Sequence, residues 1–86
     1  MARKYNYEKM LEDFLDYTIK EHVLQFNYID VKSKLNVSIS TAYKIIDIII
    51  LNGLGTRKYG SVRINVDNVT NWLLQRKTNI KNKNLH

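Results

Sequence analysis

The chain has 86 residues, a net charge of +6, 44% apolar residues and no cysteine. That is one domain with a small core, because so short a chain buries only a modest share of its surface. A disulfide framework and thiolate metal sites are excluded, Met1 to Lys9 lacks the apolar stretch of a secretion signal, and the run Ile48 to Leu51 is far too short to span a bilayer.

The charge is unevenly placed. Residues 1–30 carry four Lys and Arg against six Asp and Glu, a balance of −2, whereas residues 31–86 carry ten against only Asp47 and Asp67, a balance of +8. A basic field confined to part of a small domain favours a polyanionic partner, nucleic acid first. The cysteine-free composition fits an intracellular, cytoplasmic protein, and a DNA partner would make it nucleoid-associated.

In chain order, Leu11, Phe14, Leu15, Ile19, Val23 and Phe26 recur at helical spacing and predict a first helix over 7–26, capped by Asn6. Asp30 is expected to cap a short second helix, Val31 to Leu35. Asn36 suits a left-handed turn, Val37 pins that turn, and Ser38 caps a third helix from Ile39 to Leu51 or Asn52, which Gly53 stops. Leu54 to Tyr59 and Ser61 to Val66 read as two strands turning at Gly60, with Val62, Ile64 and Val66 alternating against Arg63 and Asn65. Asp67 is expected to cap a last helix over 68–77. The expected domain is 1–77, with 78–86 a flexible basic tail. The class is mainly α with a β-hairpin (α+β), in the order helix, helix, helix, strand, strand, helix.

The second and third helices are separated by only three residues, as a helix-turn-helix requires. Ala42 is small enough for close approach. The third helix is nearly all apolar after Ile45, so that half belongs to the core, while its opening turns are polar. Such a split suits a helix whose first turns enter the major groove. Ser38, Ser40, Thr41, Tyr43 and Lys44 are the candidate contacts there, with Lys32 and Lys34 as weaker backbone contacts. Around the hairpin, Arg57, Lys58, Tyr59, Ser61 and Arg63 form the second candidate group.

Leu35-Asn36-Val37-Ser38, Ser40-Thr41-Ala42-Tyr43-Lys44, Leu51-Asn52-Gly53-Leu54 and the hairpin together resemble the winged helix-turn-helix of small transcription regulators of bacteria and archaea, including those of archaeal viruses and plasmids. The resemblance covers residues 29–66. It departs from the family's pattern at Lys32, where a small residue is usual, and at Asn36, where Gly is commoner. It implies a sequence-specific double-stranded DNA-binding regulator, usually dimeric, with repression ahead of activation and the wing lying on the backbone or in the minor groove. Two half-sites would then sit about 34 Å apart.

A second apolar stripe on the first helix (Tyr7, Met10, Phe14 and Tyr17), with Trp72 and Leu74 on the last, predicts a homodimer interface. With two His and no Cys, no metal site, cofactor or catalytic constellation is expected, nor does the sequence argue for a pocket for a small-molecule effector. Two rival readings are a winged-helix interaction module of a transcription or replication complex, and a plasmid or viral partition or replication DNA-binding protein. Single-stranded RNA is disfavoured, since Tyr59 is the one aromatic residue of the hairpin.

Overall fold

A computed structural model describes residues 6–84, with side-chain surroundings described through Arg76. Seven elements follow one another: α1 (Tyr7–Lys20), β1 (Gln25–Phe26), α2 (Tyr28–Leu35), α3 (Ile39–Leu51), β2 (Gly55–Lys58), β3 (Ser61–Ile64) and α4 (Val66–Asn84). The result is a small α+β domain of four helices and a three-stranded antiparallel sheet in the order β1-β3-β2.

The first helix stops six residues before the expected end at 26. Its carbonyls are closed by a Schellman motif, in which the Val23 amide donates to Thr18 O at 2.9 Å and the His22 amide to Ile19 O at 3.4 Å. His22 occupies the left-handed position that glycine usually fills, at φ 56°. The helical spacing of Val23 and Phe26 misled because Phe26 is buried in another way. It pairs with Val62 as part of β1, and its ring meets Phe14 edge-on at 4.8 Å. A strand was therefore absent from the expected order.

The second helix begins earlier than expected. Asn27, not Asp30, is its cap: Asn27 Oδ1 accepts from the amides of Ile29 and Asp30, and Asp30 Oδ2 accepts from the Asn27 amide. This is a reciprocal capping box, which ties Asp30 to the third helical position. The expected turn is observed, with Asn36 left-handed at φ 54° and the Val37 amide bonded to Lys32 O. Ser38 caps α3, accepting from the Thr41 amide at 3.2 Å. At the far end Leu54 N bonds Ile49 O and Gly53 has φ 68°.

The hairpin turns on Tyr59 and Gly60, both at positive φ (49° and 80°). That is the backbone of a two-residue primed turn, which matches the twist of the flanking strands. Glycine is at ease there, whereas a bulky residue at positive φ costs on the order of 1–3 kcal/mol. Gly55 serves close approach instead: a Cβ there would lie 3.0 Å from Arg63 O and 3.3 Å from Ile49 Cγ2. The last helix starts at Val66, and its cap is Asn65, whose Oδ1 accepts from Asn68 N, rather than Asp67. It continues past the expected end at 77 to Asn84.

Phe14, Leu15, Val31, Ala42, Ile45, Ile49 and Val69 are fully buried and join the sheet's inner residues Val62 and Ile64 in one core. Each large side chain so buried contributes about 1.5–3 kcal/mol. Arg76 ties α4 back to α1, reaching Glu8 at 3.3 Å and Glu12 at 3.5 Å, with its guanidinium 4.9 Å from the Trp72 ring centre.

Candidate nucleic-acid interface

One face of α3 is uncovered along its whole length. Ser40, Tyr43, Lys44, Asp47 and Leu51 are exposed, while Ala42, Ile45, Ile46 and Ile49 face the core. The period of 3.6 residues produces this division from the sequence ISTAYKIIDIIIL, since the polar residues fall three and four apart. The three-residue turn from Asn36 to Ser38 seats α2 beside the start of this face.

The recognition group expected from the sequence divides. Ser40, Tyr43 and Lys44 lie on the open face. Thr41 does not: it is 5% exposed, and its hydroxyl accepts from Ser38 Oγ at 3.1 Å. A first-turn position pointing inward serves the cap and the core, which removes Thr41 from the candidate contacts. The Ser38 hydroxyl is itself engaged by the Thr41 amide and hydroxyl. Tyr43 stacks on Tyr28 of α2, with ring centres 5.0 Å apart and planes 20° apart, so one face of its ring is covered and its orientation is fixed. Lys44 Nζ lies 5.9 Å from the Tyr7 ring centre. Lys32 is exposed, and Lys34 sits 4.3 Å over the Tyr17 ring.

The hairpin cations also divide, and by register. Arg57 pairs with Val62 across the strands, so it belongs to the sheet face that meets the helices. There it reaches Asp47 of α3 at 2.8 Å. Arg57 is therefore a neutralised cation on the same surface as the open face of α3. Thr56 pairs with Arg63 and Lys58 with Ser61, while Gln25 pairs with Arg63 on its other side. These residues occupy the opposite, outer face of the sheet. Tyr59, at 97% exposure, stands at its end.

Electrostatic partners follow the same geography. On α1, Lys9 pairs with Asp13 and Lys20 with Asp16. The hydrogen bond to Asp13, then that residue's charge, holds Lys9 above its ordinary 10.5. Among the described residues, Lys32, Lys34, Lys44, Lys58 and Arg63 have no carboxylate within ion-pair distance. All five follow residue 30. Lys77, and Lys81 and Lys83 of the expected basic tail, lie outside the described side chains.

The expected pairing surface is largely interior. Phe14 is 0% exposed and is a core residue, so it is withdrawn as an interface residue. Tyr7, Met10, Tyr17 and Trp72 are half-buried against the core, and Leu74 alone of the group is well exposed, at 56%. Sequence reasoning missed Asp47 and Leu51 as members of the open α3 face, although their spacing from Ser40 and Lys44 is itself helical. It also missed Tyr28 and Gln25, whose places depend on partners distant in sequence.

Among the described residues, no cluster of three His, Asp or Glu could hold a metal, and no helix is long and apolar enough to cross a membrane. Comparison with protein-family models, with curated proteins and with solved structures found no match. Any reading of function therefore rests on the residues themselves.

Proposed function

We propose that this chain is a winged helix that binds duplex DNA in a sequence-specific manner, as a transcription regulator with repression ahead of activation. The observation that carries the proposal is the open face of α3, where Ser40, the stacked Tyr43 and Lys44 stand exposed on a helix whose other side is core. A helix so placed offers hydrogen-bonding, apolar and cationic groups to base edges and phosphates in one groove. The element order and the sheet order β1-β3-β2 are compatible with a winged helix. Lys32 on α2, one turn after the Tyr28 that stacks on Tyr43, would flank the duplex as a backbone contact, whereas Lys34 lies over Tyr17 on the α1 side and is withdrawn from that role.

Pairing of two copies belongs to the proposal at Leu74 and the half-buried Tyr7, Met10, Tyr17 and Trp72. Sedimentation equilibrium at micromolar concentration tests it, and a 10.2 kDa particle would refute it. DNA binding is tested by selecting duplexes from a random pool and titrating the winner with salt. Lys44→Ala should weaken binding and lower the salt slope by about 0.9, the value for one phosphate no longer neutralised. Absent or salt-insensitive binding would refute the assignment. A second reading, a protein-interaction module, is favoured by Asp47 in the middle of the same face and by Leu51, 85% exposed at its end. Neither is a natural neighbour of phosphate.

A further inference from the structure

We propose that the outer face of the sheet is a separate site for single-stranded nucleic acid, with Tyr59 stacking on an unpaired base and Lys58 and Arg63 holding the adjoining phosphates. Three observations converge there. Tyr59 is 97% exposed and left-handed at φ 49°, at a turn position that asparagine or glycine would fill without strain. Among the described residues, no packing compensates for the exposed ring or the strained backbone. An outlier of that kind points to a role for the side chain.

Second, the strand register sets Lys58 and Arg63 diagonally on one face, about 7–8 Å apart at the backbone. Neither cation has a carboxylate partner among the described residues. Third, Tyr59, Lys58 and Arg63 line a groove of about 310 Å³ together with Gln25 and Ser61. Those two polar side chains can donate to or accept from a base edge. A ring beside two cations fits a ligand that has both a π-face and repeated negative charge. A base inside a duplex has both faces covered by its neighbours, so a stacking role calls for an unpaired base. The face is the reverse of the one on which Arg57 meets Asp47 of α3, so this site is distinct from the proposed duplex site.

The test uses the whole chain with labelled oligothymidylate, oligouridylate and a duplex, followed by fluorescence anisotropy. Tyr59→Asn keeps the turn, so its melting temperature should equal or exceed that of the parent. Its affinity for single strands should fall about 5- to 150-fold, the range for one base–aromatic stack. Tyr59→Phe should keep that affinity. Joint replacement of Lys58 and Arg63 by Ala should lower the single-strand salt slope by about 1.4. Oligothymidylate and oligouridylate differ in the sugar and in the thymine methyl, so oligodeoxyuridylate separates the two, and the sugar preferred at constant base identifies the natural strand. Unchanged strand binding by Tyr59→Asn overturns the proposal, as does a loss that is equal for duplex and strand. Lys44→Ala distinguishes the two sites: it should weaken the duplex and leave strand affinity intact. If the parent binds strands but no duplex, the duplex assignment alone has failed.

Discussion

Replacing Asp47 by Asn is expected to tighten duplex binding at little cost to the fold. In the structure the Asp47 carboxylate lies in the open stripe of α3 between Lys44 and Leu51 and holds Arg57 at 2.8 Å. A carboxylate facing a phosphate about 4 Å away in water is disfavoured by about 1 kcal/mol, or about fivefold in affinity. Its removal also frees Arg57 for a phosphate of its own. One more neutralised phosphate steepens the salt slope by about 0.9, so raising salt from about 50 to about 200 mM should cost the variant about 3.5-fold more affinity than the parent. Both side chains are more than half exposed, at 52% and 62%, so the pair contributes only about 0.2–1 kcal/mol to stability. The melting temperature should accordingly fall by less than about 8 °C. Anisotropy with a selected duplex across a salt series reads the first effect and thermal unfolding the second. Equal or weaker affinity with an unchanged salt slope would refute the apposition of this stripe to DNA. The gain in salt dependence should also vanish when Arg57→Ala is combined with Asp47→Asn.

Three further outcomes are expected. Ser38→Ala removes the α3 cap and should cost about 0.5–2 kcal/mol in denaturant unfolding; an unaltered midpoint would contradict the capping role. Phe14→Ala should lose about 3–5 kcal/mol, a large share of the total for a domain this small; near-parental stability with altered self-association would return Phe14 to an interface. Arg76→Ala breaks the link from α4 to Glu8 and Glu12, contacts of 3.3 and 3.5 Å of which the Glu8 end is largely exposed, and should cost about 0.5–1.5 kcal/mol, with faster amide exchange in α4; unchanged exchange would show that the link is ornamental to the packing.

Much of the architecture was legible because its signals are local. Asn36, Ser38 and Gly53 acted where their chemistry predicts, since a cap or a left-handed residue is recognised by its immediate neighbours. The polar residues on the opening turns of α3 lie on an open face as their spacing predicts, but the half after Ile45 is not all core as expected: Asp47 and Leu51 are exposed, so the open face runs the length of the helix. The end of α1 was not legible in the same way. Val23 and Phe26 continue a helical stripe, and only the pairing of Phe26 with Val62, remote in sequence, shows that the chain becomes a strand there. The cap of α2 differed from expectation for a related reason: Asn27 and Asp30 both have capping chemistry, and their reciprocal bonds select between them.

The candidate site shows the same boundary. The sequence by itself determined that the basic residues gather after residue 30, that α3 carries polar residues on its opening turns, and that cations flank a tight hairpin turn. Tertiary structure alone decided which of these share a surface. Thr41 turns inward to Ser38, Arg57 is held by Asp47, and Lys58 and Arg63 stand on the far side of the sheet with Tyr59. The physical reason is that successive strand residues alternate faces while ion pairs form across elements, so side chains adjacent in the sequence can serve opposite surfaces.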